Sequence, residues 1–329
     1  MPGSLVHVTL ALNLLAFPGF AAELKPQTTV AFDKYVAATE ARFATGLLPG
    51  GAFLYVDGLS ADRTKNSYEQ LKRGEILVQK LETKPPGNDV PDGLVHHWVG
   101  LIFIPGVTLA QTLPIVQDYD RRAELYKPDV IASRTLSHYG SDYTMFLRLY
   151  HKKFTTVIFN TEYAVHWGRV EPTKMYSNSI STRIAEVRDT SHPDGEELPL
   201  GQGHGYLWRL NTYWRFHEKD GGVYLQCEAL SLTRDIPIGL GWLLKPLVTS
   251  IPKLSLNRAL SRTREVVLQN VQRALPSAGI CAILTGSCPS NCNFIHYACS
   301  VSTIREAGKS RQAEAQARVE KITRKITRR

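Results

Sequence analysis

The hydrophobic and polar positions alternate most regularly between Leu207 and Ala229. Trp208, Leu210, Thr212, Trp214 and Phe216 take every second position, with Arg209, Asn211, Tyr213, Arg215 and His217 between them. A period of two puts successive side chains on opposite faces of a strand. After Asp220-Gly221-Gly222 the alternation resumes through Leu225 and Cys227. A two-residue Asp220-Gly221 turn pairs Trp214 with Cys227, Phe216 with Leu225, Thr212 with Ala229 and Trp208 with Thr233. One face of the hairpin then sets large aromatics against small or slender side chains. On the other, Arg215 opposes Gln226 and lies diagonal to Glu228, while Tyr213 opposes Glu228 directly.

The same reading extends along the chain. TTVAFDKYVAATEARFATG (28–46) has helical spacing through Val30, Tyr35, Val36, Thr39 and Phe43, and a second helix is predicted from Asp62 to Arg73. Strands are predicted at 75–82 and 93–106. A helical span over 108–127 follows, capped by Thr108, closed by Pro128 and interrupted at Pro114. From Pro128 the pattern is β, with strands near 129–138, 142–151, 154–168, 173–188, 204–218 and 222–233 and short turns between them. On the strand before the hairpin, Phe159, Thr161, Tyr163, Val165 and Trp167 share one face. Consecutive strands joined by short turns argue for an antiparallel meander. The pattern then returns to helix: an apolar piece breaks near Pro246 and Pro252, and a long amphipathic helix follows with Leu256, Leu260, Thr263, Val267, Asn270, Val271 and Ala274 on one stripe.

That order predicts an α+β, helix-grip architecture, a curved antiparallel β-sheet wrapped around a long C-terminal α-helix with an apolar cavity between them. The segments VHHWVGLIFIPGVTLAQTLPIVQDYDRRAELYKPDVIASR, NTEY, STRIAEVRD, YLWRLNTYWRF and CEALSLTRDIPIGLGWL resemble exported bacterial proteins with the START-like (SRPBCC) helix-grip fold. The resemblance covers about Glu23 to Leu275. It implies the fold and a cavity for a hydrophobic ligand, and no particular ligand or reaction.

Composition adds boundaries. At 329 residues and 43% hydrophobic, the chain can bury a sizeable core. Its net charge of +9 is concentrated in the tail Arg305–Arg329, whose nine Lys/Arg and three Glu give +6, leaving about +3 (9 − 6) for the rest. The body therefore has little claim on nucleic acid. The tail reads as a solvated charged end, with contact to an anionic membrane surface or to nucleic acid as its alternatives. The apolar run from about Leu5 to Phe20, followed by Ala21-Ala22-Glu23, has the length of an export leader although no Lys or Arg precedes it. This predicts a periplasmic or secreted protein. The resulting divisions are a leader (1–22), an N-terminal helical segment (23–74), the helix-grip domain (75–275), a Cys-rich segment (276–304) and the basic tail (305–329). Cys281, Cys288, Cys292 and Cys299 do not match a two-plus-two zinc spacing, and their disulfide pairing stays open.

Catalytic signatures are sparse. The sequence contains no Gly-x-Ser-x-Gly elbow, no Walker-type loop and no His-Glu-x-x-His helix. Gly201, Gly203 and Gly205 lie in a loop without the following helix that a phosphate cradle needs. His96 and His97 are adjacent on a strand, so their side chains diverge and cannot easily share a metal; one is expected to pack and the other to meet solvent. No cofactor is implied. The Arg215–Glu228 pair is expected on a convex face in water, where such pairs contribute ~0–1 kcal/mol.

The favoured reading is binding and sequestration of a hydrophobic small molecule or lipid, with Gly239–Trp242 as a gate. Its ligand-binding candidates are Phe159, Thr161, Tyr163, Trp208, Leu210, Thr212, Trp214, Phe216, Leu225, Cys227, Leu256 and Leu260. Two alternatives remain. One is a cyclase- or hydrolase-type enzyme using Tyr163, Glu162 or the Arg215–Glu228 pair as acid and base. The other is an envelope interaction module whose cavity its own side chains fill. Each aromatic on the inward face buries enough surface to justify itself in a packed core.

Overall fold

The computed structural model describes residues 22–82, 90–152, 156–192, 194–235 and 241–274, with side chains over 250–273 in the last stretch. The chain divides into two compact units, Met1–Val267 and Leu268–Arg329. Of the second, the described part is the helical stretch 268–274. Residues 1–21 of the leader, the Cys-rich segment and the basic tail lie outside the described residues. So do Gly239 and Leu240 of the expected gate, and the side chains of Gly241 and Trp242.

The strand pair β1 (Ala22–Glu23) and β8 (Gln202–Gly203) stands apart from the main sheet. Helices α1 (Pro26–Thr45) and α2 (Ala61–Lys72) flank a short 3-10 turn at Tyr55–Gly58. Strands β2 (Leu77–Lys80) and β3 (Gly93–Pro105) lead to α3 (Leu109–Val116) and α4 (Arg122–Leu125). The meander is β4 (Val130–Tyr139), β5 (Asp142–Lys152), β6 (Thr156–Glu171), β7 (Lys174–Glu186), β9 (Arg209–Lys219) and β10 (Gly222–Arg234), and α5 spans Gly241–Ala274. The main sheet has eight strands in the order β2-β3-β10-β9-β7-β6-β5-β4. Every neighbouring pair is antiparallel.

The hairpin register is the one the turn chemistry predicts. Asp220 and Gly221 both have left-handed φ, at 55° and 73°, and Trp214 pairs with Cys227, Phe216 with Leu225, Thr212 with Ala229. Bulges between Glu162 and Tyr163, between Arg169 and Glu171, and twice along β4 interrupt the ladder and bend the outer strands.

A row of paired residues crosses the sheet from Gly100 through Cys227, Trp214 and Ser177 to Trp167. Helix α5 lies over this row. A Cβ on Gly100 would collide with Leu260 Cδ1 and come within 3.2 Å of Leu256. Leu256, Leu260, Thr263 and Val267 of the expected stripe are buried with Val266 beside them, whereas Asn270 and Val271 are only half-buried. The helix itself departs from expectation. It runs unbroken through Pro246 and Pro252, although each proline removes one ladder hydrogen bond. Pro114 likewise lies within α3, and the break in the 108–127 span comes after Val116.

The opposite face corrects the sequence reading most. It is not a convex surface in water: α1, the turn after it and α2 cover it. Phe32, Tyr35 and Phe43 pack on Tyr213, Leu230 and Leu232, while Phe53, Leu54, Val56 and Leu71 pack on Val99, Leu101, Phe103 and Tyr224. Helix α1 is turned so that Thr28, Phe32, Tyr35, Thr39 and Phe43 face inward and Val30 is exposed. The molecule is thus three layers deep, helices on both faces of one sheet.

Candidate ligand-binding site

The inner face, beneath α5, carries most of the predicted site. Phe159, Thr161, Tyr163, Phe216, Leu225, Cys227, Leu256 and Leu260 are buried there. Leu210, Thr212, Trp214 and Ala229 share that face but remain partly accessible. These four positions form an accessible strip along β9 and β10. The walls are mixed. Ser177, Ser179 and Ser181 of β7 bring small hydroxyls to the row beside the aromatics.

Tyr163 is the inner face's most unusual polar group. Burial pushes its phenol up to about 12, with the neighbouring Thr161 hydroxyl pulling the other way. Thr161 donates to the Leu147 carbonyl at 2.8 Å, and the Tyr163 hydroxyl is buried without a hydrogen-bond partner. At neutral pH it is a neutral phenol beside the Thr161 hydroxyl. Cys227 is a free thiol raised well above its ordinary range by burial, so it acts as a small apolar wall.

Trp208 is placed elsewhere. Its backbone N–H donates to the Leu232 carbonyl, and Leu232 is already the ladder partner of Arg209, so Trp208 falls outside the regular alternation. Its ring joins Phe32, Tyr35 and Leu232 under α1, on the outer side.

The acid–base candidates do not converge. Tyr163 faces inward, whereas Glu162, Arg215 and Glu228 belong to the other face. There Glu228 accepts from His97 Nε2 at 2.7 Å and pairs closely with Arg42 of α1, while Tyr35 hydrogen-bonds His97 Nδ1 at 3.0 Å. Burial raises the Glu228 pKa, but His97 and Arg42 outweigh it and the net displacement is downward. Arg215 donates to the backbone carbonyls of Phe43, Ala52 and Phe53 and stacks 4.1 Å from the Phe43 ring centroid. Burial lowers its pKa to about 10. Arg215 and Glu228 therefore anchor α1 and its following turn separately, and neither is a surface ion pair. His96 and His97 diverge as alternation requires, but both are buried. His96 hydrogen-bonds Thr233 on the inner side, and neither meets solvent. Among the described residues no cluster of three or more potential metal ligands occurs. The glycine loop does hold an anion, one of the chain's own: Glu186 accepts from the His204 N–H at 2.9 Å and packs against Gly203.

A groove of about 590 Å3 opens on the outer face between the end of α1 and β5–β7, lined by Glu40, Phe43, Tyr139, Asp142, His166, Tyr176 and Asn178, among others. Its carboxylates and open side suit it poorly to an apolar guest, which gains most where most of its surface leaves water. The inner face is the better candidate on that ground.

No protein-family model matches the chain, and no curated protein matches it. Solved structures do. A STAR-related lipid transfer protein fragment from Xanthomonas axonopodis is 17% identical, covering 57% of this chain and 98% of that one, with a TM-score of 0.36. Human STARD10 is 10% identical over 64% of this chain and 81% of its own, with a TM-score of 0.38. The Zhui aromatase/cyclase from a Streptomyces species is 11% identical over 56% and 99%, with a TM-score of 0.38. The fold is a helix-grip. That statement rests on the chain's own strand order, register and α5 packing, to which likenesses at these TM-scores add nothing.

The sequence reading passed over Arg122. The signal was present: in YDRRAELY, Arg122 follows Tyr119 by three positions and precedes Tyr126 by four. Tyr119 lies before α4 and Tyr126 caps its end, so the two rings flank Arg122 from either side of one short helix.

Proposed function

We propose that this protein binds and sequesters a largely apolar small molecule or lipid between the inner face of its sheet and α5. The observation that carries the reading is the residual accessibility of Leu210, Thr212, Trp214 and Ala229 amid the buried Phe216, Leu225, Cys227, Leu256 and Leu260. Those side chains offer an apolar enclosure with a few hydroxyls, the composition that takes a greasy guest and fixes its orientation. The leader sequence extends the proposal to a periplasmic or secreted protein, and the basic tail extends it to contact with an anionic membrane surface from which a lipid could be taken.

Purified protein is examined by native mass spectrometry and solvent extraction, then titrated with an environment-sensitive apolar dye. A bound lipid-like molecule, or saturable dye binding, is the expected result. Ala229→Met and Thr212→Leu add bulk to the accessible strip and are expected to weaken dye binding by at least about tenfold, roughly 1.4 kcal/mol. No extractable ligand together with no dye binding would overturn the reading.

A further inference from the structure

Arg122 begins α4, and two tyrosines fix the place of its side chain. The guanidinium carbon is 5.1 Å from the ring centroids of both Tyr119 and Tyr126. Tyr119 accepts from Trp167 Nε1 at 2.8 Å, on the inner face of β6. The Tyr126 hydroxyl shares a 3.0 Å hydrogen bond with Thr263 of α5. The cation is thus pinned in the layer between sheet and helix. It is close enough to Cys227, at the middle of β10, that its charge partly counters the rise which burial and Glu228 impose on that thiol.

Its hydrogen bonding is incomplete. Nη2 donates to the Val116 carbonyl at 2.5 Å, Nε is buried with no partner, and no ion pair to the guanidinium occurs among the described residues. Arg215 and Arg264, which are desolvated enough to lower their pKa, share the unpartnered Nε but are held by more carbonyls. Arg215 is bound by three carbonyls, and Arg264 by the Gly74 and Glu75 carbonyls at the end of α2. Aromatic faces attract a cation but leave its N–H donors unused. A partly buried charge without a counter-ion is costly, and one facing an apolar cavity gains most from an oxyanion brought in by the guest.

We infer that Arg122 receives the head group of the ligand, which is an amphipathic acid: an apolar body ending in a carboxylate or a phosphate. This rests on the cavity reading above and narrows it to a ligand class.

The test uses the full chain and a tail-matched series of lauric acid, lauryl phosphate and lauryl alcohol, each measured by displacement of the apolar dye. Wild-type protein is expected to bind the acid, the phosphate or both at least about tenfold more tightly than the alcohol. The stronger of the two names the head group. Arg122→Gln is expected to erase the difference while leaving alcohol affinity within about threefold, and Arg122→Lys to restore part of it. Equal affinity of all three for the wild type overturns the inference while leaving the cavity reading intact. So does a preference that survives in Arg122→Gln. If Arg122→Gln does not fold, the wild-type series decides alone. If none of the three displaces the dye, this inference falls, while the cavity reading is judged by dye binding and ligand extraction.

Discussion

His96 sits on the inner side of β3 with its Nε2 3.0 Å from the Thr233 hydroxyl, buried away from the bulk solvent that would stabilise a positive charge. Burial, with a smaller contribution from Lys80, lowers its pKa from 6.5 to about 4. The folded protein therefore refuses a proton that the unfolded chain accepts below pH 6.5. Stability rises with pH wherever the unfolded state binds more protons, so it should climb from about pH 4 to about pH 6.5 and then level. The full effect of one such group is about 3 kcal/mol. His217, also lowered by burial, adds to the slope with the same sign. Glu228 acts at a more acidic end: its pKa is displaced downward, so its contribution is present at neutral pH and lost on acidification through its folded value. Urea unfolding across this range checks the prediction. His96→Gln should flatten the curve between pH 4 and 6.5, and an unchanged slope in that variant would remove His96 from the account. None of this was readable in the sequence, where His96 and His97 differ only by the face they occupy.

At the scale of elements, the contact that makes the grip is the crossing of α5 over Gly100. A side chain at position 100 has no room beneath Leu260, which is fully buried. Gly100→Val should cost about 1–3 kcal/mol through overpacking. Leu260→Ala alone should cost about 2–5 kcal/mol by leaving a cavity. The double variant should be more stable than the sum of the two costs implies, because the added methyls enter the vacated space. Thermal or urea denaturation of the four proteins decides it, and strict additivity would mean that α5 does not lie over β3 in solution. This element was legible: the stripe through Leu256, Leu260 and Thr263 follows from periodicity alone, and so does the hairpin register from Asp220-Gly221. The continuity of α5 through two prolines was not, because its packing face is set by residues beyond them. Trp208 was misassigned for a similar reason. Alternation predicts side-chain direction only inside a ladder, and the ladder begins at Arg209.

The whole molecule differs from the sequence expectation in having a third layer. Arg209, Asn211, Arg215, Gln226 and Glu228 spell a solvent-facing row, and nothing within those strands says otherwise. The missing information is in α1, whose Tyr35, Glu40 and Arg42 complement that row group by group: Tyr35 to His97, Arg42 to Glu228, Glu40 to Tyr213 at 3.0 Å. The following turn completes the match, with the Tyr55 N–H donating to Gln226 at 2.6 Å. Gly46 is needed there, since a Cβ would stand 2.6 Å from the Arg215 guanidinium. Uncovering this face would expose Leu230, Leu232 and Tyr213 to water and strip partners from buried charges, each such loss costing about 3–5 kcal/mol. Total stabilities of single domains are only about 5–15 kcal/mol. A chain beginning at Ser60, lacking α1 and the turn, should therefore show no cooperative thermal transition by near-ultraviolet circular dichroism, whereas the full chain melts as one unit. If the shortened chain melted cooperatively near the full chain's midpoint, α1 would be an appendage and the polar row a surface. The physical contrast is with the inner face, where accessibility persists under a covering helix. The outer face is closed by hydrogen-bonding the charges it buries, Glu228 to His97 and Arg42, and Arg215 to three carbonyls, and the inner face keeps accessible positions beneath its helix.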